Sequence, residues 1–168
     1  RRKHYVPLDA GFMHEYRDYY AFGKHRTVRM KVYALPVAEA AYARIMQFIG
    51  ACESDAAQMF NLFSMVTMPL FHGFRIYKAH NCMSFTARIL ELSETVPMNK
   101  PYWRYDIHEM DRLLDGHLYF EGELERTDSP DYESYMEKPP FAKRLSVSAK
   151  TIITLTKRCM FTRSRIED

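Results

Sequence analysis

The chain of 168 residues carries a net charge of +3, with 47% hydrophobic and 14% aromatic residues, a composition that excludes global disorder and suits one folded domain. Cys52, Cys82 and Cys159 are too few and too widely spaced for a disulfide scaffold, and no Cys-x-x-Cys pair suggests structural zinc. No apolar run reaches the length of a membrane span, and Arg1-Arg2-Lys3-His4-Tyr5 leads into no signal-peptide hydrophobic stretch, so a reducing, cytoplasmic location is the simplest expectation.

Thr27 to Leu35 alternates, with Val28, Met30 and Val32 on one face and Arg29, Lys31 and Tyr33 on the other, which predicts a half-buried strand closed by Pro36. Helical spacing follows in Ala38, Ala41, Tyr42, Ile45, Phe48, Ile49 and Cys52, and Gly50 with Glu53-Ser54-Asp55 marks its end. Cys52 falls on the apolar face and is expected in the core. Asp55 to Phe74 is apolar and methionine-rich. Core packing is the commoner use of such a stretch, and a lipid or acyl pocket is the alternative, since methionine adapts to irregular shapes. Pro69 and Gly73 predict a turn at its end.

A second amphipathic helix opens at Asn81-Cys82-Met83-Ser84-Phe85 and buries Phe85, Ile89 and Leu92. Cys82 stands at its N-terminus, where the positive end of the macrodipole favours thiolate over thiol and so creates a nucleophile. The plainer account is a cysteine packed as a small hydrophobe. Asn81 either caps this helix or lends a polar group near an oxyanion, for which the backbone N–H of Cys82 or Met83 is the expected donor. Val96 to Pro101 reads as a loop. Asp106 and Glu109 form a capping box before the stripe Ile107, Met110 and Leu114, Gly116 stops that helix, and His117 to Phe120 returns as a short strand. The elements together predict an α+β fold.

Charge then separates into two blocks. Glu123, Glu125, Asp128, Asp131, Glu133 and Glu137 are broken only by Arg126, whereas Phe141 to Ile166 holds Lys143, Arg144, Lys150, Lys157, Arg158, Arg163 and Arg165 without an acid. This pattern is either an acidic linker with a cationic surface tail or a basic arm for an anionic surface; no specific nucleic acid is predicted. No glycine-rich phosphate loop and no compact ligand pair beyond His80-x-Cys82 occurs, so neither a cofactor nor a metal is expected.

The order Arg2-Lys3, Gly11-Phe12-x-x-Glu15, a strand ending Val32-Tyr33-Ala34-Leu35-Pro36-Val37, a helix, and then a cysteine opening an apolar helix resembles the circularly permuted NlpC-type cysteine hydrolases. Asn81-Cys82-x-x-Phe85-Thr86 is similar to the Asn-Cys-x-x-Phe-Val pattern of the lecithin retinol acyltransferase-like enzymes of the same superfamily. The resemblance runs from Arg1 to Gly122. It implies a permuted papain-like α+β domain over 1–122, with an antiparallel sheet packed against the nucleophile helix, followed by an acidic linker over 123–140 and a basic tail over 141–168.

The same resemblance implies that Cys82 is the nucleophile and that Glu15 orients a catalytic imidazole, although Glu15 serves equally well in a surface ion pair with Arg17 or Lys24. It places the family's catalytic histidine on a strand just before the Arg-Lys string, upstream of Arg1, so the chain looks N-terminally truncated and lacking its base. Among substitutes, His80 lies two residues before the cysteine, although helix-entry geometry rarely aims two such side chains together; His4 is closest in sequence to the missing strand, and His14, His25, His72, His108 and His117 have no motif support. The expected reaction is hydrolysis of a peptide-type amide bond through a Cys82 thioester. A lipid acyl hydrolase or acyltransferase, and a non-catalytic binding module using the charged tail, are the alternatives.

Overall fold

The computed structural model describes residues 12, 27–125 and 139–161. Its elements, in chain order, are β1 (Thr27–Tyr33), α1 (Glu39–Ser54), β2 (Met59–Phe60), α2 (Leu62–Phe71), β3 (Ala79–His80), α3 (Cys82–Ser93), α4 (Ile107–Leu113), β4 (Leu118–Glu125) and α5 (Phe141–Phe161). Short 3-10 turns cover Tyr102–Arg104 and Asp115–His117. The architecture is mixed α and β.

β1 has the expected alternation, its even-numbered residues half-buried and Arg29 and Lys31 exposed. It pairs antiparallel with β4, in a register that sets Lys31 opposite Glu121, Arg29 opposite Glu123 and Thr27 opposite Glu125. Cations of one strand thus face acids of the other, a cross-strand pairing that stabilises this register over a one-residue slip. Arg29 Nη2 donates to Glu121 Oε1 at 2.8 Å. The first residues of the acidic stretch, Glu123 to Glu125, are therefore strand and not linker; the rest of that stretch, 126–138, lies outside the described residues.

The second pairing is smaller and bears directly on Cys82. β2 and β3 run parallel, Met59 beside Ala79 and Phe60 beside His80. Each is followed at once by an asparagine that caps a helix. Asn61 Oδ1 accepts from Ser64 N–H at 3.0 Å, and Asn81 Oδ1 accepts from Ser84 N–H at 2.7 Å. The sequence repeats Asn-x-x-Ser at both places, and Asn61 N–H donates to His80 O at 2.9 Å, so the starts of α2 and α3 are tied side by side.

α2 runs through Pro69 to Phe71 instead of ending before it. Pro69 lies in the last turn, where its missing N–H costs only one late helical bond, and His72 N–H still reaches Met68 O at 3.0 Å. His72 and Gly73 then take positive φ, and a Cβ at Gly73 would collide with the Trp103 carbonyl. That close approach seats the Tyr102–Arg104 turn against the end of α2.

Two apolar clusters form the core. The larger joins Ala87 and Leu90 of α3 to Tyr102, Tyr105, Met110 and Leu114. The smaller joins Ile76 and Ala79 to Leu155 of α5, which is fully buried. Cys52 is buried as expected, and desolvation pushes its thiol pKa up. The Asp106–Glu109 capping box forms with both bonds in place, at 2.8 and 2.9 Å. Asp106→Ala removes one helix-end acceptor and is expected to lower stability by about 1 kcal/mol, measured as a shift in the urea midpoint at unchanged slope.

Candidate functional site

Cys82 is the first residue of α3 and is exposed. The helix under it is rigidly set: Asn81 is buried, its Oδ1 is taken by the Ser84 N–H, and Ser84 Oγ accepts from the Asn81 N–H at 3.0 Å. Asn81 is thus a capping residue. Phe85 N–H continues the helix ladder to Asn81 O at 3.0 Å. Among the described residues the N–H groups of Cys82 and Met83 have no acceptor, so both point past the helix end as open donors beside the thiol.

One turn below the thiol, the Phe12 ring meets the Phe85 ring with centroids 5.5 Å apart at 57°. Phe12 belongs to the Gly11-Phe12-x-x-Glu15 string and Phe85 to the Asn81-Cys82-x-x-Phe85 string, so one residue of each meets here. Glu15 itself, with His4, His14, His25, Arg17 and Lys24, lies outside the described residues.

His80 does not join the thiol. Its ring is packed against Phe48 at 5.7 Å and lies 6.2 Å from both Phe85 and Tyr102. Burial, reinforced by the charges of Arg75 and Arg88, holds its pKa down to about 4, so the imidazole is neutral at neutral pH. Among the described residues Cys82 has no hydrogen bond to any histidine.

Two clefts flank α3, and neither was visible in the sequence. The first, of about 240 Å³, is lined by His80, Ser84, Arg88, Tyr102, Trp103 and Arg75 among others, and every charged residue on its wall is cationic. Arg75 lies 4.9 Å from the Trp103 ring centre and Arg88 lies 5.4 Å from that of Tyr102, so the cations are held over aromatic faces. This wall favours an anionic or planar group. Its residues come from α1, the segment between α2 and β3, β3 itself, α3 and the turn at Tyr102–Arg104 among others, and no local spacing announces them.

The second cleft, of about 460 Å³, is lined by Met83 and Thr86 of α3 together with Lys31, Tyr33, His108 and Asp111. Thr86 follows Cys82 by one helical turn, so this cleft opens along the face of α3 that carries the thiol. Lys31 Nζ donates to both Asp111 oxygens at 2.9 Å, and the Tyr33 hydroxyl also donates to Oδ1. The Tyr33 and Lys31 bonds hold the Asp111 carboxyl below the usual carboxylate range. His108 is exposed on the cleft wall; its place on the thiol's side of α3 could not be read from spacing, because α4 follows a long loop.

Among the described residues no group of three His, Cys, Asp or Glu side chains is placed to hold a metal ion, and no helix is long and apolar enough to cross a membrane. No family model, no curated protein and no solved structure matches this chain.

Proposed function

We propose that the protein is a cysteine-dependent acyl hydrolase of the permuted papain-like kind, with Cys82 as nucleophile and a peptide-type amide as substrate. The observation that carries this reading is the exposed thiol on the first residue of a capped, core-packed helix, with two N–H donors open beside it. The contact of Phe12 with Phe85 supports the order of motifs on which the family resemblance rests.

In this mechanism the Cys82 sulfur attacks the substrate carbonyl carbon, and the Cys82 and Met83 N–H groups donate to the oxygen as negative charge develops on it. A histidine protonates the leaving amine, and water then hydrolyses the thioester. The substrate chain would lie in the cleft between Thr86, Tyr33 and His108.

A lipid acyl group is the second reading, favoured by α2, which has no charged residue and exposes Met65, Val66 and Leu70. The two readings separate by substrate. Release of fatty acid from vesicles without cleavage of peptides or peptidoglycan fragments would select the lipid reading.

Accessibility gives a first check on the thiol. Iodoacetamide at neutral pH is expected to alkylate Cys82 ahead of half-buried Cys159 and buried Cys52, as read by peptide mass mapping. Equal or absent labelling at Cys82 would instead favour a non-catalytic binding module.

A further inference from the structure

α5 has two unlike faces. Its inner face carries Leu155 and Thr151, both buried, and Arg158. The Arg158 guanidinium donates to the carbonyls of Tyr77, Lys78 and Ala57 at 3.0 to 3.2 Å, which fastens the helix to the segments leading into β2 and β3.

The outer face is built differently. Phe141, Leu145, Ile152, Ile153 and Met160 are 43% to 75% exposed, and at 3.6 residues per turn they fall on an arc of about a third of the circumference. Lys143, Lys150 and Lys157 follow one another at two-turn spacing along the edge of this arc. Phe141–Phe161 contains no Asp or Glu, and among the described residues these three lysines make no ion pair.

An uncovered apolar stripe bordered by a lysine row suits an interface that is hydrocarbon on one side and anionic on the other. A second copy of the chain would bring one lysine row toward another. Nucleic acid would satisfy the lysines and leave the apolar stripe in water. α2 adds a second observation: it shares the Leu155 cluster with α5 through Leu62 and Phe63, and its own outer residues Met65, Val66 and Leu70 are exposed.

We propose that the outer face of α5 docks the protein onto an anionic lipid bilayer, with the helix lying in the plane of the interface. The proposal stands apart from the acyl hydrolase reading, because it needs no chemistry at Cys82.

The test is co-sedimentation of the whole chain with vesicles of phosphatidylcholine alone or mixed with phosphatidylserine. Binding is expected only to the mixed vesicles and should weaken with added salt. Replacing the lysine row (Lys143→Gln, Lys150→Gln, Lys157→Gln) should lower partitioning by about a hundredfold, from about 1 kcal/mol per lysine and 1.4 kcal/mol per tenfold. Leu145→Asn with Ile152→Asn should also abolish binding, with helix content by circular dichroism unchanged. The proposal is overturned by equal affinity for neutral vesicles, by no binding to either, or by indifference to either set of substitutions. A lipid-free dimer that the Leu145→Asn and Ile152→Asn pair dissolves would also overturn it, since the face would then belong to a second copy.

Discussion

Lowering the pH from 6.5 to 4 is expected to destabilise the protein by about 3 kcal/mol through His80 alone. The folded-state pKa of about 4 lies below the ordinary histidine value of 6.5, so between these limits the unfolded chain binds a proton that the folded chain rejects. Stability is therefore complete above 6.5, falls as the pH drops through the window, and levels off below 4. The cause is the setting of the ring: it is packed among Phe48, Phe85 and Tyr102, with the Arg75 and Arg88 charges nearby. Urea unfolding of the natural sequence and of His80→Phe across this range checks the claim. The aromatic variant keeps the packing and removes the titration, so the natural protein should lose stability relative to the variant as the pH falls, and the two curves should diverge toward acid. Parallel curves would show that His80 is not the titrating group. Carboxylates held low by hydrogen bonds, Asp106 and Asp111 among them, lose their contribution at lower pH and affect both proteins alike.

The same residue shows where reading by local pattern stops. Period-two alternation in β1, the capping box at Asp106 and Glu109, and the start of the Cys82 helix were legible because each depends on residues within a few positions of one another. His80 was visible only as a neighbour of Cys82, yet the chain turns between them at Asn81. The strand residue faces the aromatic wall while the first helical residue faces solvent. Helix-entry geometry already argued against pairing the imidazole with the thiol, but the ring contacts from α1 and from the Tyr102–Arg104 turn could not be deduced from spacing.

The basic block illustrates a different limit. Its charge was plain, but its lysines interrupt the apolar residues so regularly that charge masked helical order. Only docking through Leu155 and Arg158 reveals which side of α5 faces inward, and hence that the lysine row and the apolar stripe share the outer side. The pairing of β2 with β3 was hidden for a related reason. Two-residue strands have no periodicity to detect, and the repeated Asn-x-x-Ser was the one local trace of the paired helix starts.

Under the proposed acyl hydrolase reading, Cys82→Ala is expected to reduce acyl transfer by about a thousandfold or more, the scale seen when a covalent nucleophile is removed. The substitution should leave the fold in place, because the thiol is exposed and the helix start is held by Asn81 and Ser84, not by the cysteine. An unchanged thermal midpoint would establish that. Acid quenching during turnover should leave the substrate's acyl group on the peptide containing Cys82 as a thioester, detected as a mass increment that hydroxylamine removes. The Ala variant should carry no increment. Cys82→Ser keeps a hydroxyl at the same helix end but replaces sulfur with a far weaker nucleophile, so it should fall with the Ala variant and not with the natural protein. Retained turnover in Cys82→Ala, or an acyl group found on another residue, would move the chemistry away from α3. The open N–H groups of Cys82 and Met83 would then be no more than an ordinary helix end.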